Sequence, residues 1–113
     1  MRVLVTGASG FVGKHLIDFL SHQNGVEVHG FCRHELNPGF LHLCDICDAN
    51  KVRELIDDIR PDRVFHLAAQ SSVPVSWKEP VQTLMTNIMG ELHLFEAVRV
   101  GRLSNTEAEP ALT

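Results

Sequence analysis

The residues best suited to chemistry form a glycine-rich stretch near the start of the chain. The stretch that holds Gly7, Gly10 and Gly13 follows a short apolar segment and leads into an amphipathic one that begins at Phe11. In such a context the first glycine permits a sharp turn, the second lets a phosphate approach the backbone, and the third lets a helix pack closely. The free N–H groups of the helix N-terminus attract negative charge. The pattern predicts a site for the pyrophosphate of a dinucleotide; the alternative is a tight turn without a ligand.

The residue at the end of the second predicted strand distinguishes the two nicotinamide cofactors. An acid about 20 residues past the glycines binds the ribose 2′-hydroxyl of NAD, whereas an Arg accommodates the 2′-phosphate of NADP. Arg33 stands at this position, and Glu35 is the nearest acid. A guanidinium can bind a phosphate through two hydrogen bonds. We therefore predict NADP as the cofactor, with NAD as the alternative if Arg33 is only a solvated surface residue.

Apolar periodicity predicts the elements that must position these residues. Strands that alternate with helices imply right-handed crossovers and a parallel sheet. We therefore predict an α/β fold, a doubly wound parallel sheet of about four strands and three helices that forms the N-terminal half of such a domain. The predicted strands are 2–6, 27–32, 40–43 and 63–67, and the predicted helices begin at Phe11, follow an N-cap at Asp48, and span about 80–99.

The two later helices carry apolar residues at helical spacing, so each should bury one face. Residues 68–77 are expected to form a loop against which Trp77 packs. The predicted buried faces are Val52, Leu55, Ile56 and Ile59 on the second helix, and Leu84, Ile88, Leu92, Phe95 and Val98 on the third.

The last stretch of the chain differs from the rest in composition. Residues 100–113 show neither a strand pattern nor a sustained helical face. We therefore divide the chain into a dinucleotide-binding segment, 1–99, and an irregular tail. No fifth strand is expected, and its absence would leave the fourth strand as a bare sheet edge.

Composition narrows the class of protein. The chain has 113 residues, 44% of them hydrophobic and 21% charged, as in a globular protein. Its net charge of −4 argues against nucleic acid as a partner. No apolar run approaches the roughly 20 residues that span a membrane, and no signal peptide is recognisable. We expect a cytoplasmic protein whose three cysteines are reduced thiols.

Two further groups of residues have spacing that could indicate a site. Cys44 and Cys47, with His42 nearby, have metal or redox spacing, but a structural zinc site needs four ligands and no second pair follows. We expect buried or idle thiols and no metal. His66 lies inside a predicted strand, where a core histidine with a satisfied hydrogen bond is the expected role.

These residues resemble the extended short-chain dehydrogenase/reductases, in particular the sugar-nucleotide epimerase, dehydratase and reductase group. Within that group the chain is most similar to the GDP-mannose 4,6-dehydratases and to the reductases that act on their 4-keto product. The resemblance covers about residues 1–99. It is carried by the motifs at 5–13, 45–46, 66–73, 76–77 and 87–90.

The resemblance implies a role for each matching residue. Asp45 would bind the adenine amino group beside the Ile46 backbone, and Asn87 would support a catalytic lysine through water unless it is simply an exposed helix residue. The remaining cofactor-binding positions would be Gly7, Gly10, Phe11, Val12, Gly13, Arg33, Leu67, Ala68, Ala69 and Gln70, with Ser71 and Ser72 facing substrate or cofactor.

The family's catalytic pair is missing from the sequence. By resemblance, hydride transfer at a sugar carbon is assisted by a Tyr-x-x-x-Lys pair, and this chain contains no tyrosine. We therefore predict the cofactor-binding half of an NAD(P)-dependent sugar-nucleotide oxidoreductase, inactive by itself. The alternatives are a dinucleotide-binding module without chemistry and a degenerate interaction domain. Family resemblance also implies a homodimer through the 80–99 helix and, in the full-length family, a nucleotide-sugar substrate.

Overall fold

Strands and helices alternate along the chain in a computed structural model that describes residues 1–33, 41–68, 73–104 and 111–112. The strands are β1 (Arg2–Thr6), β2 (Glu27–Cys32), β3 (Leu41–Leu43), β4 (Arg63–His66) and β5 (Ala111–Leu112). The helices are α1 (Phe11–Ser21), α2 (Ala49–Ile59), α3 (Val73–Lys78), α4 (Pro80–Leu84), a π-helical segment (Met85–Met89) and α5 (Gly90–Ser104).

The strands form one parallel sheet in the order β3-β2-β1-β4-β5. β1 lies at its centre, so that Val5 pairs with Gly30 on one side and with Phe65 on the other. This order is that of a doubly wound dinucleotide-binding fold, in which the order of strand addition reverses between β1 and β4. The predicted fold class is confirmed.

Both faces of β1 are buried, because helices cover both sides of the sheet. Val3 and Val5 pack with Ile17 of α1 on one face. Leu4 lies on the other face, in a cluster that includes α2 and α5. A parallel strand buried on both faces reads as a continuous apolar run, which is the pattern that predicted it.

α2 follows its prediction closely. The Lys51 N–H donates to Asp48 Oδ1 over 3.1 Å, so Asp48 is the N-cap. Arg60 ends the helix in the left-handed conformation (φ 49°), just before Pro61. All four residues of the predicted face are buried.

The expectation that no fifth strand follows is wrong. β5 pairs in parallel with β4, with Ala111 opposite Arg63 and Leu112 opposite Val64. Two residues are too short to show a period, so only the edge that β4 offers can define this strand. The last helix also runs to Ser104, beyond its expected end. The division of the chain at residue 99 stays a prediction.

The expected loop at 68–77 and its packing are also wrong in part. Val73–Lys78 is the short helix α3, and Trp77 on it is 83% exposed instead of packed. β4 ends one residue earlier than predicted, at His66, and residue 40 lies outside the described residues. Among the described helices, none is both long and apolar enough to cross a membrane.

The buried face of the last helix differs from the prediction. Of the predicted residues only Val98 is buried; Leu94 and Ala97 are buried with it. Gly90 explains the choice, because a Cβ there would lie 2.6 Å from Cγ2 of Ile46. The helix therefore approaches the core along the face that carries Gly90, Leu94 and Ala97. Leu84, Ile88, Leu92 and Phe95 are exposed.

Two leucines on α5 test this assignment of faces. Leu94 is 1% exposed and Leu92 47%. Leu94→Ala should lower the free energy of unfolding by about 2–5 kcal/mol, because it leaves a cavity in the core. Leu92→Ala, the matched control, should change it by less than about 1 kcal/mol. Urea denaturation followed by circular dichroism measures both, and equal losses would contradict the assignment.

Candidate functional site

A cavity of about 410 Å³ lies at the carboxyl ends of β1 to β4. In doubly wound folds this edge, at the point where the strand order reverses, is where ligands bind. Residues of β1 and β2, the residues that directly follow β3 and β4, and the segment from Glu79 to Thr86 contribute to its wall. The lining residues are Thr6, Gly7, Ser9, Gly10, Phe31, Cys32, Arg33, Cys44, Asp45, Ile46, Leu67, Ala68, Glu79, Gln82 and Thr86.

Gly7 makes the sharp turn out of β1. Its φ of 68° is left-handed, a conformation that favours glycine. A Cβ on it would lie 2.9 Å from both Ala68 N and Leu67 C, so the turn packs directly against the chain that leaves β4. The predicted turning role of Gly7 is confirmed, and the contact shows why no side chain fits.

Gly10 and Gly13 shape the start of α1. Gly10 is the N-cap residue and lines the cavity, and no side-chain hydrogen bond or first-turn acid caps this helix end. The N–H groups that open α1 therefore have no acidic side chain of their own first turn to neutralise them. A Cβ on Gly13 would overlap Gly7 O and touch Ala8 Cα at 3.0 Å. Gly13 thus lets the helix begin against the turn itself.

Arg33 reaches the cavity from the end of β2 and is exposed. This is the placement expected of a residue that selects between NAD and NADP. Phe11 and Val12, predicted with it, are 80% and 61% exposed beside the turn and are not among the lining residues. Their contact with a cofactor stays a prediction.

Asp45 lines the cavity just after β3, but its carboxylate is partly engaged. The Cys47 N–H donates to Asp45 Oδ1 over 2.9 Å. Asp48 caps α2, as predicted, so Asp45 is not needed as a cap. An ionised carboxylate has about four acceptor sites. Asp45 can therefore hold its own loop and still accept a hydrogen bond from a ligand.

Ile46 is fixed by α5. It is buried, Gly90 packs against it, and its carbonyl lies 3.0 Å from Nδ1 of His93. Because a carbonyl only accepts, the His93 ring donates this hydrogen bond. The last helix thereby sets the position of the loop that carries Asp45.

Cys44, beside Asp45, is a buried thiol. Burial raises the pKa of the Cys44 thiol to about 12, with the charges of Asp48 and Asp45 adding to the shift. Cys44 is buried, as predicted, and stays a neutral thiol at ordinary pH, which supports the prediction that it is idle. Cys47 is half-buried, with its Sγ 3.8 Å from Thr86 Oγ1.

Thr6 is a site residue that sequence reasoning missed. It is fully buried, and its Oγ1 accepts hydrogen bonds from Leu67 N–H (3.0 Å) and Ala68 N–H (3.1 Å). The same oxygen lies 2.7 Å from Nδ1 of His66, so His66 has the satisfied hydrogen bond expected of it. Thr6 thereby ties the ends of β1 and β4 together. The sequence contains one signal for this role, because Thr6 is the hydroxyl residue of a mostly apolar strand.

A polar stripe on the helix pair after α3 was also missed. Glu79, Gln82 and Thr86 line the cavity, and Gln82 Nε2 donates to Thr86 Oγ1 over 3.3 Å. Their spacing places them on one helical face, which is a signal that the sequence contains.

The remaining predicted residues lie elsewhere. Asn87 is half-buried on the π-helical segment and is not among the lining residues. Its supporting role stays a prediction. Ala69, Gln70, Ser71 and Ser72 lie outside the described residues.

The glycine turn, the cavity and the strand order together define a dinucleotide-binding fold, and comparison with known proteins places it in a family. A family model described as GDP-mannose 4,6 dehydratase matches residues 4–108. The chain belongs to this family.

Individual relatives of the family agree in sequence and in fold. A GDP-mannose 4,6-dehydratase of Yersinia enterocolitica is 36% identical over 92% of this chain. A UDP-glucose 4-epimerase of Thermus thermophilus, solved with NAD, is 37% identical over 89% of the chain, with a TM-score of 0.79. A dTDP-4-dehydrorhamnose reductase of Bacillus anthracis, solved with NADP, is 26% identical over 88% of the chain, with a TM-score of 0.73.

The match covers only part of each relative. The chain spans about a third of their lengths, namely 32% of the Yersinia dehydratase, 34% of the Thermus epimerase and 32% of the Bacillus reductase. The relatives named for sugar-nucleotide chemistry are therefore about three times as long as this chain.

Two helical glycines test the packing at the site. Gly13→Ala should lower the free energy of unfolding by about 1–3 kcal/mol, because the new methyl group must displace the Gly7 backbone. Gly101, in α5, has nothing within 4 Å of an added Cβ. Gly101→Ala should instead raise stability by about 0.5–1 kcal/mol. Thermal unfolding compares the two, and a neutral Gly13→Ala would show that the turn is looser than described.

Proposed function

We propose that this chain is the cofactor-binding segment of an NADP-dependent sugar-nucleotide oxidoreductase. The observation that carries the proposal is the cavity, whose wall joins the glycine turn at the start of α1 to Arg33 and Asp45. These groups suit the pyrophosphate, the ribose phosphate and the adenine of one dinucleotide.

The pyrophosphate would lie at the turn between β1 and α1. Gly7 and Gly10 expose backbone there, and an added Cβ on Gly10 would have only Gly7 O nearby, at 3.3 Å. The absence of a side chain at Gly10 is required less strictly by the protein's own packing than it is at Gly13, where an added Cβ would overlap Gly7 O. It is explained if a ligand approaches this point, where the partial positive charge of α1 would stabilise it.

Arg33 supports NADP over NAD. It is exposed at the end of β2, where a guanidinium can bind a 2′-phosphate through two hydrogen bonds. Asp45 and Ile46 would border the adenine on the same side. Leu67 and Ala68 would border the nicotinamide end. Solved relatives of the family contain NAD in one case and NADP in another, so NAD is the alternative cofactor.

We further propose that the chain by itself binds the cofactor without turning over a sugar nucleotide. The proton transfer of the enzymes it resembles depends on a tyrosine, and this chain contains none. A binding module without chemistry is the second candidate, and the same cavity supports it. The three cysteines are free thiols, in keeping with the reducing cytoplasm that we propose as its location.

Titration of the purified chain with NADPH and NADH tests the proposal. NADPH should bind more tightly than NADH, and Arg33→Ala should weaken NADPH binding about tenfold or more while sparing NADH, because it removes a charge-assisted contact. Arg53→Ala, on the exposed face of α2, is the matched control and should change neither. Gly10→Val should weaken both cofactors.

The enhancement of cofactor fluorescence provides the measurement. No binding at millimolar concentrations of either cofactor would contradict the proposed function. Equal weakening of NADPH and NADH by Arg33→Ala would contradict the role of Arg33 alone.

We also propose that two copies of the chain pair through the helix at 80–99. Exposed apolar side chains, here called the apolar stripe, recur along α3, α4, the π-helical segment and α5, and large exposed apolar surfaces mark interaction sites. A second copy offers the same surface, as a two-fold symmetric interface requires. The stripe consists of Trp77, Val81, Leu84, Ile88, Leu92 and Phe95.

A charge in the middle of this stripe tests the pairing. Ile88→Asp should convert a dimer to a monomer, because the carboxylate would be buried without a partner. Phe19→Asp, at a 61% exposed position on α1, is the control and should leave the dimer intact. Analytical ultracentrifugation distinguishes the states; a wild-type monomer at high protein concentration would contradict the pairing.

A further inference from the structure

The Thr6 hydroxyl can donate its hydrogen to only one of its three contacts, the ring of His66. A hydroxyl oxygen has two acceptor lone pairs and one hydrogen. Both lone pairs of Thr6 Oγ1 are used by the N–H groups of Leu67 and Ala68. The remaining contact, 2.7 Å to His66 Nδ1, must therefore be a bond that Thr6 donates. His66 Nδ1 is thus without a proton, and the neutral ring carries its proton on Nε2.

Other histidines of the chain have the opposite arrangement. Nδ1 of His22 lies 2.7 Å from the carbonyl of Asp18, and Nδ1 of His93 lies 3.0 Å from the carbonyl of Ile46. A carbonyl cannot donate, so these nitrogens carry the proton of the hydrogen bond. His66 differs because its Nδ1 faces a hydroxyl that has no acceptor site left.

A proton on His66 would therefore disrupt the contact. Charged histidine has N–H groups on both nitrogens, so three donors would point at one oxygen with two lone pairs. Thr6 is fully buried, which leaves no room for water to compensate. At least one of the hydrogen bonds that the Leu67 and Ala68 N–H groups donate to Thr6 Oγ1 would have to lengthen or break.

The charges around His66 agree with a neutral ring. Burial lowers the pKa of His66, and the Glu91 carboxylate on α5 partly opposes this by raising it. Thr6 is the contact from β1 and does not titrate in this range. Among the described residues, Glu91 is the charged group whose field acts on His66.

We propose that His66 is a positioning residue for the cofactor: its neutral ring, through the Thr6 hydroxyl, holds the Leu67–Ala68 wall of the cavity against the Gly7 turn. This inference rests on the proposed binding of a dinucleotide in that cavity. The wall lies within 3 Å of where a Gly7 side chain would be, so its displacement opens the turn. Cofactor affinity is then highest with His66 neutral and falls as the pH drops through its pKa, by up to about tenfold per pH unit.

The proton position is measured first, without cofactor. ¹⁵N NMR of the full chain near pH 7.5 should show the His66 proton on Nε2, while His22, the control, carries its proton on Nδ1. As the pH falls, the amide signals of Leu67 and Ala68 should shift in step with the titration of the His66 ring. A His66 proton on Nδ1, or amides that ignore the titration, would overturn the proposal.

Binding of NADP⁺ between pH 7.5 and pH 5 measures the consequence for the cofactor. The 2′-phosphate also titrates in this range, so the readout is the difference between variants. His66→Asn places an amide oxygen near the position of Nδ1, which accepts from Thr6 but cannot be charged. In His66→Asn, the affinity for NADP⁺ should therefore fall less than in wild type as the pH drops from 7.5 to 5. In His22→Asn, the affinity should depend on pH as it does in wild type.

Two further outcomes of the binding experiment distinguish the role of His66 from the proposed function. The same acid fall in wild type and His66→Asn would overturn the proposed role of His66. A chain that binds no cofactor at any pH would contradict the proposed function instead. In that case the amide signals of Leu67 and Ala68 still show whether His66 controls this wall.

Discussion

The close approach of the ends of β1 and β4 is the constraint on which the site depends. The turn at Gly7 packs backbone against backbone on Leu67 and Ala68, and the buried Thr6 hydroxyl accepts from both of their N–H groups. This contact excludes a side chain at Gly7, fixes where α1 begins, and leaves the cavity between the strand ends. The glycine at position 7 is thus required by a contact between segments about sixty residues apart in sequence.

Local features were predictable from the sequence, and long-range choices were not. The glycine turn, the Asp48 cap and the buried face of α2 each depend on residues within a few positions of one another, so the sequence shows them directly. The face of α5 depends on Gly90 meeting Ile46, a contact between residues far apart in sequence, so the face predicted from spacing alone was largely wrong. β5 is shorter than any period and depends on the edge of β4. Within the site, Thr6 was missed because its partners are distant in sequence.

The division of labour within the family follows from the topology. The carboxyl ends of β1 to β4 carry most of the cavity wall, so about a third of a relative's length is enough to form the place where a dinucleotide would lie. Family membership is therefore evident from this part of the chain. The choice among dehydratase, epimerase and reductase depends on groups that meet the sugar, and this chain spans only about a third of the lengths of its relatives.

The π-helical segment at Met85–Met89 sets the relation between two surfaces that have different tasks. Gln82 before it faces the cavity, and Leu94 after it is buried in the core. A π-type turn contains one more residue than an α-helical turn, which offsets the two parts by about 100° around the axis. Loss of a single residue here would restore a regular helix and swing Gln82 away from the cavity while α5 stayed seated. The π-helical segment is thus a point at which deletion of one residue would change the cavity wall without changing the packing of the core.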